Sequence, residues 1–230
     1  AARAAIQAQA TPLMQQHHCV FLGGDHAITL PLLRALKQQH GPLALLHFDA
    51  HCDTWEDHFG EPSGHGTWVY EAMQEGLVLP ACFTQLGIRS SATRAPREYV
   101  RDQGGLIFTG RDLRGLESPS QLAPVLQAIT HRLAAHGNPP VYLSLDIDCL
   151  DPAFAPGTGT PEIGGPTSWQ ALQVARGLKG VKVVGADLVE VSPPFDPSGG
   201  TAFLGVSLMF EMLCIIAERL DADAAKTGAA

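Results

Sequence analysis

The sequence predicts an α/β fold with a mostly parallel sheet that helices cover on both faces. Six short apolar runs recur along the chain, and stretches with apolar residues at helical spacing separate them. The runs are almost entirely apolar instead of alternating, which is typical of strands buried on both faces. At 230 residues the chain is long enough for a full core, and we expect one domain over residues 1–230.

Each predicted element has its own sequence signature. The predicted strands are "CVFLGG", "LALLHFD", "FTQLGIR", "GLIFTG", "VYLSLDID" and "KVVGADLVEV". The predicted helices are the Ala-rich start of the chain, "ITLPLLRALKQQH", "TWVYEAMQEGL", "SPSQLAPVLQAITHRLAAHG", "TSWQALQVARGLKG" and "TAFLGVSLMFEMLCIIAERL". Ser118 and Thr167 are N-cap candidates, and Gly137 and Gly180 follow two of the helices. We expect the last helix to lie in the core.

Composition and charge exclude several classes of protein. The net charge of −8 and the pI near 5.6 argue against nucleic acid or an anionic membrane as the main partner. Neither a run of roughly 20 apolar residues nor a signal-type leader is present, so we expect a cytoplasmic protein. The five cysteines are scattered and odd in number, which favours reduced thiols.

The chemistry-bearing residues follow three of the predicted strands. Asp49, His51 and Asp53 alternate in "HFDAHCDTW", and side chains two apart in an extended chain point the same way. Asp146 and Asp148 repeat this spacing in "SLDIDCLDP". The segment "GGDH" presents His26 after a third strand. Because ligands bind beyond the carboxyl ends of parallel strands, we expect these six side chains to converge.

Four carboxylates in one crevice need compensating positive charge, and two divalent cations supply it. Oxygen ligands with a minority of imidazoles suit Mn(II) better than zinc. A metal pair can lower the pKa of a shared water for attack on a planar carbon or on phosphorus. By the same alternation, the side chains of Cys52 and Cys149 point away from the predicted ligands, so we expect them to pack rather than to bind metal. A lone histidine or a single Asp-x-Asp is more often structural, but three such segments together indicate a two-metal site.

Four motifs, "GGDHAITLP", "HFDAHCDT", "SLDIDCLDPAFAPGTGTPEIGG" and "ADLVEVSPPFD", closely resemble the arginase/agmatinase family of ureohydrolases, and within it the agmatinase branch. The resemblance covers essentially the whole chain. It implies an arginase-like three-layer α/β/α fold around an eight-stranded parallel sheet, two Mn(II) ions per chain and hydrolysis of a guanidino group to urea and an amine. The N-terminal part of the family domain, with its first strand, is missing from the sequence.

The resemblance also implies the site residues. The metal ligands would be His26, Asp49, His51, Asp53, Asp146 and Asp148. Asp49 and Asp148 would bridge the ions, and Asp53 would also orient the attacking hydroxide. His65 would shuttle a proton to the departing amine, since histidine titrates near neutral pH. Glu190 would hold the guanidinium through both carboxylate oxygens. Thr160 would contact substrate or a metal ligand, although a role in its loop is an equal alternative.

The substrate is expected to be a small cationic guanidino compound. The loop "TWEDHFGEPSG" contains Glu56, Asp57 and Glu61 without Arg or Lys, so it favours the ammonium tail of agmatine, which would yield putrescine. Guanidinobutyrate, guanidinopropionate and arginine stay open as alternatives, as do an arginase-fold zinc deacetylase and a non-catalytic metal-stabilised subunit. Trp68, where the family often has a smaller residue, is expected to alter the pocket rim. The resemblance further suggests a trimer or a dimer of trimers.

Overall fold

The computed structural model describes residues 2–60 and 62–227. These residues contain six strands, namely β1 (Cys19–Leu22), β2 (Leu43–Phe48), β3 (Val78–Ile88), β4 (Leu106–Thr109), β5 (Val141–Asp146) and β6 (Val183–Val189). The strands form one parallel sheet in the order β1-β6-β5-β2-β3-β4. All six predicted strands are confirmed. The described part of the chain therefore has six of the eight strands that the family resemblance implies.

Eight α-helices surround the sheet in the described residues. They are α1 (Ala2–Gln16), α2 (Thr29–His40), α3 (Trp68–Gln74), α4 (Arg94–Asp102), α5 (Gly110–Leu113), α6 (Pro119–Ala135), α7 (Ser168–Gly177) and α8 (Gly200–Thr227). Ser118 and Thr167 cap α6 and α7 through capping boxes, as predicted, and each side chain accepts a hydrogen bond from the third helical N–H. The sequence did not predict α4, because its residues are mostly charged and only Val100 is buried, nor the short α5.

The core consists of two clusters, one on each face of the sheet. Helices α1 to α4 pack on one face and α5 to α8 on the other. Strand β2 contributes side chains to both clusters, because Leu43 and Leu45 point to one face of the sheet while Ala44 and Leu46 point to the other. The strands β2, β5 and β6 are buried along their whole length. This confirms the three-layer α/β/α fold and explains the continuous apolar runs.

Helix α8 only partly matches its expected place in the core. Leu208, Met212 and Ile215 pack under the sheet, whereas Phe203 and Phe210 are 75% and 64% exposed. By length and composition, residues 200–225 would also suffice to cross a membrane, although a third of the apolar window is buried in the fold. The helix therefore buries one face and leaves an apolar stripe on the other.

The parallel register gathers the ends of four strands at one edge of the sheet. Leu22 of β1 lies beside Leu188 of β6, Val189 of β6 beside Asp146 of β5, and Phe48 of β2 beside Leu145 of β5. Residues that leave these strands at their carboxyl ends consequently emerge next to one another. The predicted chemistry-bearing residues are among them.

Candidate metal centre

Local backbone geometry brings the predicted side chains to this edge. His26 begins a single 3-10 turn, His26–Ile28, directly after the two glycines that follow β1. Gly23 allows a close approach there, because a Cβ atom would lie 2.2 Å from Cδ1 of Ile28. Asp148 lies in a second 3-10 turn, Ile147–Cys149. Its backbone N–H donates a hydrogen bond of 2.8 Å to the carboxylate of Asp146, which caps the turn. Asp53 has a φ of 54°, in the left-handed region.

One group of donors surrounds Nδ1 of His26. This atom lies 3.1 Å from Oδ2 of Asp146, 3.2 Å from Oδ2 of Asp49 and 3.4 Å from Oδ2 of Asp53. The four side chains belong to three different strand ends and are all buried. The sequence-predicted convergence of these residues is thus present in the structure.

A second group lies beside the first and shares Asp49 with it. Nδ1 of His51 is 3.0 Å from Oδ2 of Asp148 and 3.3 Å from Oδ1 of Asp49. The donor atoms of Asp49, His51 and Asp148 all lie within 4.8 Å of one another, as do those of His26, His47, Asp49 and Asp53. Two neighbouring groups with one carboxylate in common are the arrangement that a pair of ions requires.

The hydrogen bonds of His26 show why a cation fits between these groups. The hydroxyl of Ser144 donates to Oδ1 of Asp187 at 2.7 Å, so its oxygen accepts the Nε2 proton of His26 at 2.8 Å. In the neutral imidazole, Nδ1 then directs its lone pair at three carboxylates. Such a contact is repulsive unless a proton or a metal ion lies between them. The donor set of imidazole and carboxylate therefore fits a divalent metal.

The pKa shifts of the metal-free cluster have the same cause. Burial, followed by the neighbouring carboxylates, raises the pKa of Asp53, Asp146 and Asp148. Burial alone would lower the pKa of His51, but its hydrogen bond with Asp148 raises it to about 12. The pKa of His26 likewise rises well above its usual value, against burial, through Asp146 and Asp49. When no metal is bound, protons on these side chains supply the positive charge that offsets the carboxylates.

Asp49 differs from the other carboxylates. Burial disfavours its charge, yet hydrogen bonds from His26, His47 and His51 hold its pKa well below the usual aspartate range. Its Oδ1 also accepts the backbone N–H of His51 at 2.6 Å. Asp49 therefore stays ionised in the position common to both groups.

Glu190 lies at the rim of the cluster. Its backbone has a φ of 63°, and its N–H donates to the carbonyl of Gly24 at 2.9 Å. Oε1 accepts a hydrogen bond of 2.7 Å from the backbone N–H of His26. This oxygen would therefore already hold one hydrogen bond if the carboxylate also bound a ligand through both of its oxygens. Burial raises the pKa of Glu190. The carboxylate is thus tied to the segment that carries a predicted metal ligand.

His65 and Thr160 line a cavity of about 760 Å³ beside the cluster. Nδ1 of His65 lies 3.5 Å from Oδ2 of Asp25, and both side chains are about half exposed. The hydroxyl of Thr160 donates to Oδ2 of Asp148 at 3.1 Å. Thr160 therefore contacts a predicted metal ligand and also faces the cavity, which connects the two regions.

The acidic loop lines the cavity through His58, Phe59, Ser63 and Gly64, but its described acidic side chains do not. Glu56 and Asp57 do not line this cavity, and Oδ1 of Asp57 accepts the N–H of Gly60 to close a turn. Glu61 lies outside the described residues. The carboxylate that does line the cavity is Asp25, and Arg3 of α1 lines it as well.

The cysteines behave as the alternation predicts. Cys52 and Cys149 are each 2% exposed and belong to the two opposite core clusters. All five cysteines are free. The two that neighbour predicted ligands therefore pack against apolar side chains instead of entering the cluster.

A family model described as "Arginase family" matches residues 2–214. The chain belongs to the arginase family. It is 47% identical over 196 residues to the mitochondrial guanidino acid hydrolase of Homo sapiens, covering 85% of this chain and 54% of that protein. It is also 47% identical over 196 residues to the mitochondrial agmatinase of Gallus gallus, covering 85% of this chain and 56% of that protein. The chain thus spans little more than half of these relatives.

Solved structures of the family agree with the fold. The proclavaminate amidino hydrolase from Streptomyces clavuligerus superposes with a TM-score of 0.86 at 36% identity. The match covers 94% of this chain and 70% of that chain. The arginase-like fold is therefore confirmed on the described residues.

Sequence reasoning missed several residues that shape the centre. His47 shares the two-residue spacing of Asp49, His51 and Asp53, and that spacing could have identified it. Its Nδ1 accepts from Gln85 at 3.1 Å, so its Nε2 proton points at Asp49 and it serves as a donor to this carboxylate. Burial lowers its pKa, which favours this neutral form.

Asp187 and Arg89 were also missed. Asp187 is fully buried and accepts hydrogen bonds from three hydroxyls, those of Thr29, Tyr142 and Ser144. A charged residue inside the apolar run "VVGADLV" was the available signal. Arg89 ends the third predicted strand, and its guanidinium donates to the backbone carbonyls of Gly87, Asp148, Cys149, Leu150, Glu162 and Ile163.

The expectation for Trp68 was wrong. Its side chain is fully buried under the cluster and does not reach the pocket rim. The indole fits there because α3 begins at this residue and turns the ring toward His26 and His47.

Proposed function

We propose that this chain carries the active site of a binuclear manganese ureohydrolase that releases urea from a guanidino compound. The observation that supports it best is the pair of donor groups that share Asp49. The proposed ligands are His26, Asp49, His51, Asp53, Asp146 and Asp148. When bound, two Mn(II) ions would supply an activated water at neutral pH. The other contributions come from the residues around the ions.

Glu190 is the proposed anchor for the guanidinium. Oε1 is held by the N–H of His26 at 2.7 Å, which fixes the carboxylate beside the cluster. The second oxygen and the remaining lone pair can accept N–H donors from the planar substrate group. Such a contact would hold the guanidinium carbon above the centre in a single orientation.

His65 is the proposed proton donor to the departing amine. Its imidazole lies in the cavity wall, 3.5 Å from the Asp25 carboxylate, which can orient the ring. Because the ring is about half exposed, it can regain a proton from solvent after each turnover. The amine leaves on the cavity side, where the rest of the substrate lies.

Agmatine is the proposed substrate. Asp25 places a carboxylate in the cavity wall, while the charge of Arg3 is paired with Glu71 at 3.0 Å. The Asp25 carboxylate can therefore contact the tail of the substrate, which favours an ammonium group. The similarity to the agmatinase of Gallus gallus supports the same choice.

A guanidino acid is the second candidate, and Arg3 is the reason. Its Nη1 contacts both oxygens of Glu71, but within residues 2–60 and 62–227 the hydrogen bond of its Nη2 is a long one of 3.5 Å, to the carbonyl of Gly64. A substrate carboxylate could take this outer side of the guanidinium. The similarity to the human guanidino acid hydrolase supports this alternative.

A urea-release panel with added Mn(II) on agmatine, guanidinobutyrate, guanidinopropionate and arginine tests the proposal. We expect chelation to abolish urea release and Mn(II) to restore it. Urea release that survives complete chelation would overturn the mechanism.

The variant Arg3→Met separates the two substrate candidates. It should raise KM about tenfold for a guanidino acid if the tail contacts Arg3, and should leave KM for agmatine unchanged. Arg94→Met, exposed at the start of α4, is the matched control.

Metal stoichiometry tests the remaining alternative chemistry. Two Mn(II) ions per chain by elemental analysis would support the proposal, whereas one zinc ion would favour an arginase-fold deacetylase. Two bound ions without hydrolysis of any guanidino compound would favour the non-catalytic subunit.

A cytoplasmic location and a trimer or hexamer stay predictions. Cell fractionation can check the location, and analytical ultracentrifugation can check the oligomeric state.

A further inference from the structure

Trp68 makes direct contact with one half of the metal centre. Its indole Nε1 donates to Oδ2 of Asp53 at 2.7 Å, and both side chains are buried. The ring centroid lies 4.8 Å from that of His26 and 5.0 Å from that of His47. The indole therefore forms the floor under His26 and Asp53.

The first turn of α3 holds the backbone of Asp53 as well. The N–H groups of Val69 and Tyr70 donate to the Asp53 carbonyl at 3.1 and 3.4 Å. Asp53 thus has its carbonyl and its carboxylate bound by three consecutive residues of one helix. Since its φ of 54° is unfavourable for a residue with a side chain, these contacts stabilise a conformation that the segment alone would not keep.

The indole N–H is suited to orient a ligand without competing for the metal. It is a donor only and carries no charge, so it engages one lone pair of Oδ2 and leaves the others free. Phenylalanine would fill most of the same space but would supply no donor. The hydrogen bond and the packing can therefore be separated by a single substitution.

The contacts of Trp68 are confined to one donor group. They involve Asp53, His26 and His47, whose donor atoms belong to one group, whereas no hydrogen bond or ring contact joins Trp68 to His51 or Asp148 among the described residues. We infer that Trp68 is a positioning residue that sets the metal affinity of the His26 and Asp53 subsite through the carboxylate of Asp53. This inference rests on the proposed two-metal centre.

Mn(II) binding to Trp68→Phe tests the inference. Free Mn(II) is measured by electron paramagnetic resonance during titration of the metal-free protein. Loss of a hydrogen bond to a metal ligand typically weakens metal binding about 10–100-fold. We expect one of the two ions to weaken by this factor and the other to bind as in the wild type. Equal affinities for wild type and variant would overturn the inference.

Trp169→Phe is the matched control. Trp169 is 48% exposed and its Nε1 donates to the carbonyl of Glu117 at 2.8 Å, so the same substitution removes the same kind of bond far from the cluster. Its two Mn(II) affinities should equal those of the wild type. If both substitutions weaken both ions equally, loss of general stability explains the effect and the positioning role is wrong.

A second measurement keeps Trp68 in place, in case Trp68→Phe does not fold. In protein with ¹⁵N-labelled tryptophan, Asp53→Ala removes the acceptor and should move the indole N–H resonance of Trp68 upfield, while that of Trp169 stays unchanged. An unmoved Trp68 resonance would overturn the inference. Absence of any Mn(II) binding by the wild type would instead contradict the proposed metal centre, so the two failures are distinguishable.

Discussion

Nε2 of His47 lies 2.8 Å from Oδ2 of Asp49, and both side chains are fully buried. Gln85 fixes the direction of this bond, because its side-chain amide donates to Nδ1 of His47 at 3.1 Å and to the carbonyl of Cys52 at 2.9 Å. The imidazole therefore donates to the one carboxylate that both donor groups share. The orientation of Asp49 depends on this contact.

Replacing His47 should weaken both metal ions. His47→Phe keeps a ring in the core but leaves Asp49 without this donor, so we expect the affinity for Mn(II) to fall about 10–100-fold at both subsites. The measurement is a Mn(II) titration of metal-free protein. His136→Phe, an exposed substitution at the end of α6, should leave both affinities unchanged. An unaltered titration of His47→Phe would contradict this role.

Replacing His65 should slow turnover without removing metal. His65→Gln loses the proposed proton donor, and such groups typically contribute about 10²–10⁴-fold to a rate. We expect kcat for urea release to fall by this factor, while Mn(II) content per chain stays the same. His17→Gln, on an exposed residue after α1, is the control. Loss of metal from His65→Gln would instead indicate a structural role.

The metal-free protein should lose stability as pH rises. The folded-state pKa values of His26, His51, Asp53, Asp146 and Asp148 are raised, so the folded chain binds more protons than the unfolded chain above the unfolded pKa values. Stability therefore falls with increasing pH over this window. The lowered pKa of Asp49 acts in the opposite direction below about pH 4, and the lowered pKa of His47 does so below about pH 6.5.

Thermal unfolding with and without Mn(II) measures this effect. Between about pH 6.5 and about pH 8.5, Tm of the chelator-treated protein should decrease, while the increase in Tm on adding Mn(II) should grow. Metal binding becomes stronger because fewer protons have to be displaced. A Mn(II)-induced increase in Tm that shrinks with rising pH would show that the buried cluster does not titrate in this direction.

Arg89 should stabilise the loop that follows β5. Its guanidinium donates to the carbonyl of Asp148 at 2.9 Å and to that of Glu162 at 2.6 Å, joining the two ends of the segment that contains Thr160. We expect Arg89→Ala to lower the free energy of unfolding by about 2–4 kcal/mol, measured by denaturant titration. Arg176→Ala, which removes an exposed ion pair with Glu211, should leave it nearly unchanged.

The strands and the cluster were predictable because both follow from local periodicity. A period of two places Asp49, His51 and Asp53 on one side of the chain, and strands without polar alternation require a covered parallel sheet. The convergence of His26 with Asp146 followed from the rule that carboxyl ends of parallel strands meet. These inferences do not require knowing which residues far apart in the sequence pack against one another.

The residues that sequence reasoning misplaced depend on long-range packing. Nothing in the loop after Trp55 shows that Asp57 closes a turn while Asp25, from another strand end, lines the cavity. The place of Trp68 under His26 depends on where α3 begins and how it packs on the sheet. Helix α4 escaped detection because five of its nine residues are charged and it buries only Val100.

The contacts of Arg89 have a consequence for divergence among related sequences. All of its hydrogen bonds go to main-chain oxygens, so they do not depend on which side chains the loop carries. Loop positions such as Ile163, which is 82% exposed, can therefore mutate while the anchor and the neighbouring Asp148 stay in place. The sequence of such a loop can therefore change in small steps without displacing the donor side chains at the end of β5.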